Sequence, residues 1–193
     1  MSYKLICYCS QDEYSEALAV IERSILATDL ALHFRDAPAL STLSSNINQS
    51  DTLFQELIEN NDANRQLLQA GMMTAADLGH AVRPWDNHCH VSQLVAEEFW
   101  TQGDIERKEF NIEPQPMFDR SVALNVVQVE FLDNPCMPLY EDMVRFSEHL
   151  QPLLDGCRAN RKRWVTLAVT GSAEEEDQRP SDLTGESVQA RNL

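Results

Sequence analysis

The chain has 193 residues and a formal net charge of −16, from 15 Lys and Arg against 31 Asp and Glu. Its 43% hydrophobic content is typical of one soluble domain, which at this length can bury a core without disulfides or a structural metal. Nucleic-acid and anionic-membrane partners are disfavoured because both depend on clustered basic residues. No apolar run approaches the roughly 18 residues of a membrane span, and five scattered cysteines without a Cys-x-x-Cys pair favour a reducing, cytoplasmic location.

Helical periodicity begins close to the N-terminus. Ser10 and Glu13 form the capping-box pattern that starts a helix. Largely apolar side chains then recur at steps of three and four, at Tyr14, Leu18, Ile21, Ile25, Thr28 and Leu32. This wide stripe predicts a core helix, which should end near Asp36 because Pro38 disfavours helical geometry in the residue before it.

The central part of the chain is predicted to be a loop followed by helices. Residues 37–50 contain four serines and two asparagines with little pattern, which predicts a surface loop. A short amphipathic helix follows near residues 53–58. A longer helix is predicted from Ala63 to about Val82, where Pro84 closes it.

The next segments are more mixed in pattern. Asp86 is predicted to cap a helix that Gly103 ends. Apolar and polar residues alternate over Val126–Leu132, which on local evidence alone predicts a strand. Two further helical stretches follow Pro138, and the overall prediction is an all-α fold.

Asp77 is the only charged residue, apart from one histidine, in the helical run from Ala70 to Ala81. Aspartate is a poor interior helix former, and a buried carboxylate needs a cation, a metal ion or several donors. A metal ligand and a structural or exposed carboxylate are equally supported on local evidence. His88 and His90 flank Cys89, but neighbours on a helix point about 100° apart per residue, which favours surface positions over a metal site.

Gln128 and Phe131 are three residues apart, so on a helix they share one face. A carboxamide carries both donors and an acceptor, which suits the edge of a purine, and a neighbouring ring can stack on the base. One polar residue among apolar ones is the commoner explanation of such a pair. The chain contains no phosphate-binding Gly-rich loop, His-Glu-x-x-His or Gly-x-Ser-x-Gly pattern.

Several segments taken together resemble the C-terminal part of the catalytic domain of class I 3′,5′-cyclic-nucleotide phosphodiesterases. They are ILATDLALHF (25–34), MMTAADL (72–78), RPW (83–85), LVAEEFWTQGDIERKEFNIEP (94–114), MFDR (117–120), QVEFLD (128–133), MPLYE (137–141) and PLLDGCRANRKRW (152–164). The stretch beginning QGD and the LLDGCR stretch are most similar to the cGMP-hydrolysing branch with GAF domains. The resemblance divides the chain into a lead-in (1–10), a partial catalytic domain (11–168) and an acidic tail (169–193), which is predicted to be disordered from Thr170 onward.

The resemblance implies a multi-helix, HD-type hydrolase that converts cAMP or cGMP to the 5′-nucleotide with a zinc ion and a second divalent ion, magnesium or manganese. It makes Asp77 a zinc ligand, Gln128 the purine-binding glutamine and Phe131 the aromatic clamp of the base. It also makes the QVEFLD segment helical, against the local strand prediction. The remaining pocket-wall positions implied are Val95, Phe99, Ala81, Val82 and Met117.

The family's other metal ligands and its general-acid histidine lie upstream of the segment that Ser10–Leu32 resembles. The chain is therefore expected to be a fragment, splice form or incomplete gene product, inactive alone, with a cyclic purine nucleotide as ligand. The alternative is a non-catalytic module that binds nucleotide or protein. Apolar surface left open by missing helices would favour a homo-oligomer or pairing with a full-length phosphodiesterase.

Overall fold

A computed structural model describes residues 10–47 and 55–177 of the chain. The α-helices in this part are α1 (Gln11–Leu26), α2 (Leu30–Ile47), α3 (Asp62–Asp77), α4 (Trp85–Glu109), α5 (Leu124–Phe131), α6 (Met137–Phe146) and α7 (Gln151–Asp177). Short helical turns lie between them at Gln55–Glu59, Leu78–Val82, Pro116–Phe118, Leu132–Cys136 and Glu148–Leu150. The described residues contain no strand, so the predicted all-α fold is confirmed.

The predicted first helix is two helices. Ser10 and Glu13 form both hydrogen bonds of the capping box, so the predicted start is confirmed. The break comes at residues 27–29, where the Thr28 hydroxyl donates to the Ile25 carbonyl and Asp29 Oδ1 accepts from the Ala31 N–H. These short-range bonds end α1 and cap α2 in a way that apolar spacing does not reveal.

The prediction of α1 as a core helix is wrong in the described structure. None of its residues is buried, and the predicted stripe is exposed, from 42% at Tyr14 to 65% at Ile25. The helix is anchored at its C-terminal end, where the Thr74 hydroxyl donates to the Ala27 carbonyl at 2.8 Å. The apolar face of α1 resembles a core face in composition, but no described element packs over it.

The loop predicted over residues 37–50 is also wrong as far as residue 47, because α2 continues through Pro38. A proline inside a helix costs about 3 kcal/mol. The same helix buries Leu40, Leu43 and Ile47, each worth about 1.5–3 kcal/mol, so packing outweighs the local preference. Residues 48–54 lie outside the described part of the chain, and residues 55–59 form a helical turn of the predicted short helix.

Both predicted ends of α4 are wrong. Pro84 occupies the cap position, and Asp86 lies inside the helix without capping it. Gly103 instead lies within α4. A glycine is needed there because the Phe118 backbone packs against it: an added Cβ would lie 2.0 Å from the Phe118 carbonyl oxygen. The chain turns only after Phe110, at Asn111, whose φ of 54° is the left-handed conformation that often follows a helix.

The local strand prediction over Val126–Leu132 is wrong, and the helical expectation from the family resemblance is confirmed by α5. Gln128 and Leu132 are both buried and are four residues apart, which places them on one helical face. An alternating pattern in so short a window satisfies a helix as well as a strand, so burial decides.

The main core lies where α2, α3, α6 and α7 meet, around Leu40, Leu132, Leu139, Tyr140 and Trp164. The Tyr140 hydroxyl donates to the Ala75 carbonyl at 2.8 Å, which links α6 to α3. Helix α7 extends to Asp177, beyond the predicted boundary at residue 168 and into the segment predicted to be disordered; residues 178–193 lie outside the described part. No helix in the described residues is both long and apolar enough to span a bilayer.

Candidate functional site

A cavity of about 320 Å³ lies between the α1–α2 corner, the end of α3, α4 and α5. Most of its lining is apolar, with a small number of polar groups, as is typical of small-molecule sites. Six of the eight residues that the sequence singled out line it: Asp77, Val95, Phe99, Met117, Gln128 and Phe131. The other lining residues are Thr28, Leu30, Leu78, His80, Ser92, Ala96, Trp100, Leu124 and Val127.

Gln128 is the main polar group of the cavity wall. Its side chain is 7% exposed, and its Oε1 accepts a 3.0 Å hydrogen bond from the hydroxyl of Ser92, which is itself buried. A buried amide without a partner would carry a desolvation cost, which this bond reduces. The bond also restricts rotation of the amide, so Gln128 presents its remaining donors to the cavity in a defined orientation.

Aromatic rings contribute to the cavity wall through Phe131, His80 and Phe99. The rings of Phe131 and His80 are stacked, with centroids 5.6 Å apart and an interplanar angle of 19°. The rings of Phe99 and Phe118 stack at 4.8 Å and 25°. Flat rings in the wall suit a planar ligand, because offset stacking is favourable for aromatic systems.

Met117 reaches the cavity from the short turn Pro116–Phe118, which two arginines tie to the rest of the fold. Arg107 pairs with Asp119 at 3.1 Å, and Arg120 pairs with Glu97 at 3.0 Å and lies over the Trp100 ring. These ion pairs are exposed and each contributes little. The close approach of Gly103 to the Phe118 backbone is therefore the main restraint on the position of Met117.

Asp77 is the last residue of α3, at the edge of the cavity, and its side chain is exposed, which is one of the alternatives that the local sequence left open. A negative charge at a helix C-terminus is unfavourable because the helix dipole is negative there. The Asp77 carboxylate accepts no hydrogen bond and forms no ion pair with the described residues, although its charge acts on the nearby His80 imidazole. Its placement lowers helix stability, and the exposed side chain lines the edge of the cavity.

A metal centre is not formed by the described residues. They contain no group of three or more His, Cys, Asp and Glu side chains arranged to hold an ion. Asp77 is a single carboxylate, whereas divalent ions in proteins are held by several ligands. The residues described here thus do not fit a two-metal site without further ligands.

Ala81 and Val82 are not among the residues that line this cavity, and the pocket-wall role implied for them stays a prediction. Ala81 is fully buried in the core, and Val82 packs against that core. The turn that carries them is fixed to α7: Asn160 Nδ2 donates to the carbonyls of Ala81 and Arg83 at 2.9 and 2.8 Å.

His88 is fully buried, so the predicted helix-surface position is wrong. Its Nε2 accepts from the Trp164 indole N–H at 2.8 Å, and its Nδ1 lies 3.0 Å from the His80 carbonyl. Because an indole N–H only donates, Nε2 carries no proton, and Nδ1 donates to that carbonyl. Burial lowers the pKa of His88, in agreement with this neutral form.

Ser92 and His80 are two of the polar wall residues that the sequence did not identify; Thr28 is another. Ser92 lies four residues after His88 on α4, and no local pattern distinguishes it from other serines. The contacts of Ser92 with Gln128 and of His80 with Phe131 come only from the tertiary fold.

Comparison with known proteins gives consistent matches. The family model of 3′,5′-cyclic nucleotide phosphodiesterases matches residues 2–157. The Dual 3′,5′-cyclic-AMP and -GMP phosphodiesterase 11A of Takifugu rubripes is 38% identical over 167 residues, which is 86% of this chain and 18% of the relative. The Rod cGMP-specific 3′,5′-cyclic phosphodiesterase subunit alpha of Homo sapiens is 36% identical over 160 residues, which is 81% of this chain and 19% of the relative.

A solved structure, LmjPDEB1 in complex with IBMX, is 27% identical to this chain and superposes on it with a TM-score of 0.71. The match covers 83% of this chain and 46% of the solved chain. The chain thus spans about a fifth of the length of the curated relatives named above and about half of the solved chain. The recognition made from the segments around Asp77 and Gln128 is confirmed. With the family model matching most of its length, the chain belongs to the 3′,5′-cyclic nucleotide phosphodiesterase family.

Proposed function

We propose that this chain supplies the purine-binding side of a phosphodiesterase site that hydrolyses cGMP, cAMP or both to the 5′-nucleotide. The observation that carries the proposal is the cavity in which Gln128 and Phe131 lie together with Val95, Phe99 and Met117, with Asp77 at its edge. Its volume of about 320 Å³ is at the lower end of the range for small-molecule pockets, about 300–1,000 Å³.

The chemistry of the wall suits a purine. The Gln128 amide offers donors and an acceptor to the hydrogen-bonding edge of the base, and both adenine and guanine present donors and acceptors there. The Phe131 ring offers a stacking face, which is worth about 1–3 kcal/mol per base in proteins that bind nucleotides. Neither contact selects one purine, which agrees with a ligand class that includes cGMP and cAMP.

The reaction belongs to a longer domain in this proposal. Bound divalent ions polarise a phosphoryl group, and Asp77 would supply one carboxylate ligand for such an ion. The described residues do not supply the others. The isolated chain is therefore expected to bind cyclic nucleotide without hydrolysing it.

Calorimetric titration of the full chain with cGMP and with cAMP tests the binding step. Gln128→Leu, which keeps the volume but removes the amide, is expected to weaken binding at least about tenfold, because a buried ligand polar group loses its partner. Gln93→Leu, at an exposed position of α4, is the matched control and should bind as the wild type does. No binding by the wild-type chain, or equal binding by Gln128→Leu, would contradict the proposal.

Turnover is tested separately by incubating the chain with either cyclic nucleotide and Zn²⁺, Mg²⁺ or Mn²⁺. We expect no 5′-nucleotide above the uncatalysed background. Metal-dependent turnover that is lost in Asp77→Asn would show that the isolated chain is an enzyme, against this part of the proposal.

A second candidate function, a protein-interaction module, rests on the exposed apolar face of α1. Leu18, Ile21 and Ile25 are 46–65% exposed on one helix. Apolar patches of this kind favour association, here with a second copy of the chain or with a full-length phosphodiesterase. This function is compatible with nucleotide binding, since α1 lies outside the cavity lining.

A further inference from the structure

A second cavity, of about 240 Å³, lies between α2, α6 and the Leu132–Cys136 turn. It shares no lining residue with the cavity around Gln128. Apolar walls with a few polar groups are typical of small-molecule sites, and this volume suits a small ligand. The apolar part of the lining is formed by Phe34, Ala37, Pro138 and Leu139, and its charged side chains, Glu141, Asp142 and Arg145, all come from α6.

Asp142 is the most buried of these charged side chains, with 7% exposed. Its Oδ1 accepts hydrogen bonds from the Ser44 hydroxyl at 2.7 Å and from Arg145 Nη1 at 2.5 Å, whereas its Oδ2 accepts none from the described residues. Oδ2 is nevertheless accessible, because every fully buried side-chain nitrogen or oxygen in the described part has a partner. The buried carboxylate therefore offers an open acceptor at the cavity.

Arg145 offers the complementary donors. Within the described chain only its Nη1 is used, for Asp142 and, at 3.5 Å, for the Ser44 hydroxyl. Its Nε and Nη2 donate to no described residue, and the side chain is 38% exposed. A planar guanidinium with two such donors can bind a carboxylate through two parallel hydrogen bonds.

The other ionisable groups of the lining add no unpaired charge. Glu141 pairs with Arg158 of α7 at 3.0 Å. Burial lowers the pKa of His33, although Asp142 and Asp36 oppose the shift, so its ring is neutral at about pH 7. The cavity thus presents one carboxylate and one guanidinium, side by side, with unused hydrogen-bonding capacity.

We propose that this cavity binds a small zwitterion, an α-amino acid with an apolar side chain. Its ammonium group donates to Asp142 Oδ2, and its carboxylate accepts from the open donors of Arg145. The two charges of an α-amino acid are one carbon apart, which matches partners that are themselves in contact. The apolar side chain of the ligand packs on Phe34 and Leu139. This site is independent of the proposed function, because it lies outside the cavity around Gln128.

The test compares L-leucine with its two halves, isopentylamine and 4-methylpentanoate, in titrations of the full chain at about 0.15 M salt, where exposed charges are screened. The ring resonances of His33, which lines this cavity, should shift and saturate with leucine, while those of His80, which lines the other one, should not move. Each half should bind at least about tenfold more weakly than leucine, because it lacks one charge-assisted contact. Equal affinity of either half, or no saturable shift with leucine, would overturn the proposal.

Arg145→Lys keeps the positive charge beside Asp142 but removes the planar pair of donors. It should weaken leucine binding about fivefold or more, with little change in unfolding by urea. Arg35→Lys is the matched control, because Arg35 is an exposed residue of α2 that pairs with Asp36 at 2.8 Å and lies outside the lining. Leucine binding by Arg145→Lys that equals that of Arg35→Lys would show that the guanidinium does not hold the ligand. Cyclic-nucleotide affinity, measured in the same variants, should be unchanged.

Discussion

The Ser92 hydroxyl donates a 3.0 Å hydrogen bond to Oε1 of Gln128, and both side chains are buried at the cavity wall. The bond joins α4 to α5 at the position where a purine edge is proposed to lie. A serine hydroxyl can donate to an amide oxygen or accept from an amide nitrogen, so it supports Gln128 without requiring a charged neighbour.

Ser92→Ala removes this support. We expect a loss of about 1 kcal/mol of stability, because the buried amide loses a hydrogen bond, and about fivefold weaker cyclic-nucleotide binding, because the amide is no longer held in one orientation. Urea unfolding and calorimetric titration measure the two effects. Ser45→Ala, at an exposed position of α2, is the control for loss of a serine hydroxyl; equal behaviour of the two variants would contradict the role assigned to Ser92.

The stability of the fold should depend on pH through His88. Its pKa in the folded chain lies below the ordinary 6.5 because of burial, and protonated Nε2 could not accept the Trp164 indole N–H. The unfolded chain therefore binds the proton first as the pH falls. The free energy of unfolding should be at its plateau above the ordinary pKa of 6.5 and should decrease as the pH falls through it toward the lower folded value.

Urea unfolding between about pH 7.5 and about pH 5.5 measures this effect. His33 and His80 also have lowered pKa values and add to the slope in the same direction. His88→Gln keeps an acceptor for Trp164 but cannot be protonated, so its slope should be smaller than that of the wild type. An unchanged slope in His88→Gln would assign the pH dependence to the other histidines.

Gly103→Ala should displace the segment that carries Met117. The added Cβ would lie 2.0 Å from the Phe118 carbonyl oxygen, a backbone atom that cannot rotate away. We expect a loss of about 2 kcal/mol, as is usual for overpacking, together with weaker nucleotide binding. Gly79→Ala is the control, because no atom lies within 4 Å of its added Cβ and removal of a glycine should leave stability unchanged or slightly higher. Equal stability of the two variants would be inconsistent with the close contact.

The parts of the fold that the sequence predicted are those governed by local interactions. The capping box at Ser10 and Glu13 involves residues three apart, and its prediction is confirmed. The helical state of the segment containing Gln128 and Phe131 came from the family resemblance, since local alternation predicted a strand. The end of α1, by contrast, depends on side-chain bonds at Thr28 and Asp29 that apolar spacing does not encode.

The parts that could not be predicted depend on residues distant in the chain. The glycine at position 103 is explained by its close contact with the Phe118 carbonyl, which is 15 residues away in the chain. The buried His88 is paired with Trp164 of α7, whose indole N–H donates to its Nε2. Pro38 is tolerated in α2 because the helix buries several side chains beyond it. For the same reason, neighbours in sequence have separate roles: His80 lines the cavity, whereas Ala81 is in the core.

Association of the chain should depend on the apolar face of α1. Ile21 and Ile25 are 49% and 65% exposed, so Ile21→Ser with Ile25→Ser removes apolar surface without opening a cavity in the core. The free energy of unfolding of the monomer should change by no more than about 0.5 kcal/mol per substitution, as is usual at surface positions. Sedimentation velocity should show a concentration-dependent oligomer for the wild type and a weaker one, or none, for the double variant.

Phe110→Ser is the control for this prediction, since Phe110 is 63% exposed at the end of α4 and its loss should leave association unchanged. Equal association of all three proteins would exclude the α1 face as the contact surface, and a wild type that stays monomeric would restrict the interaction function to a different partner chain.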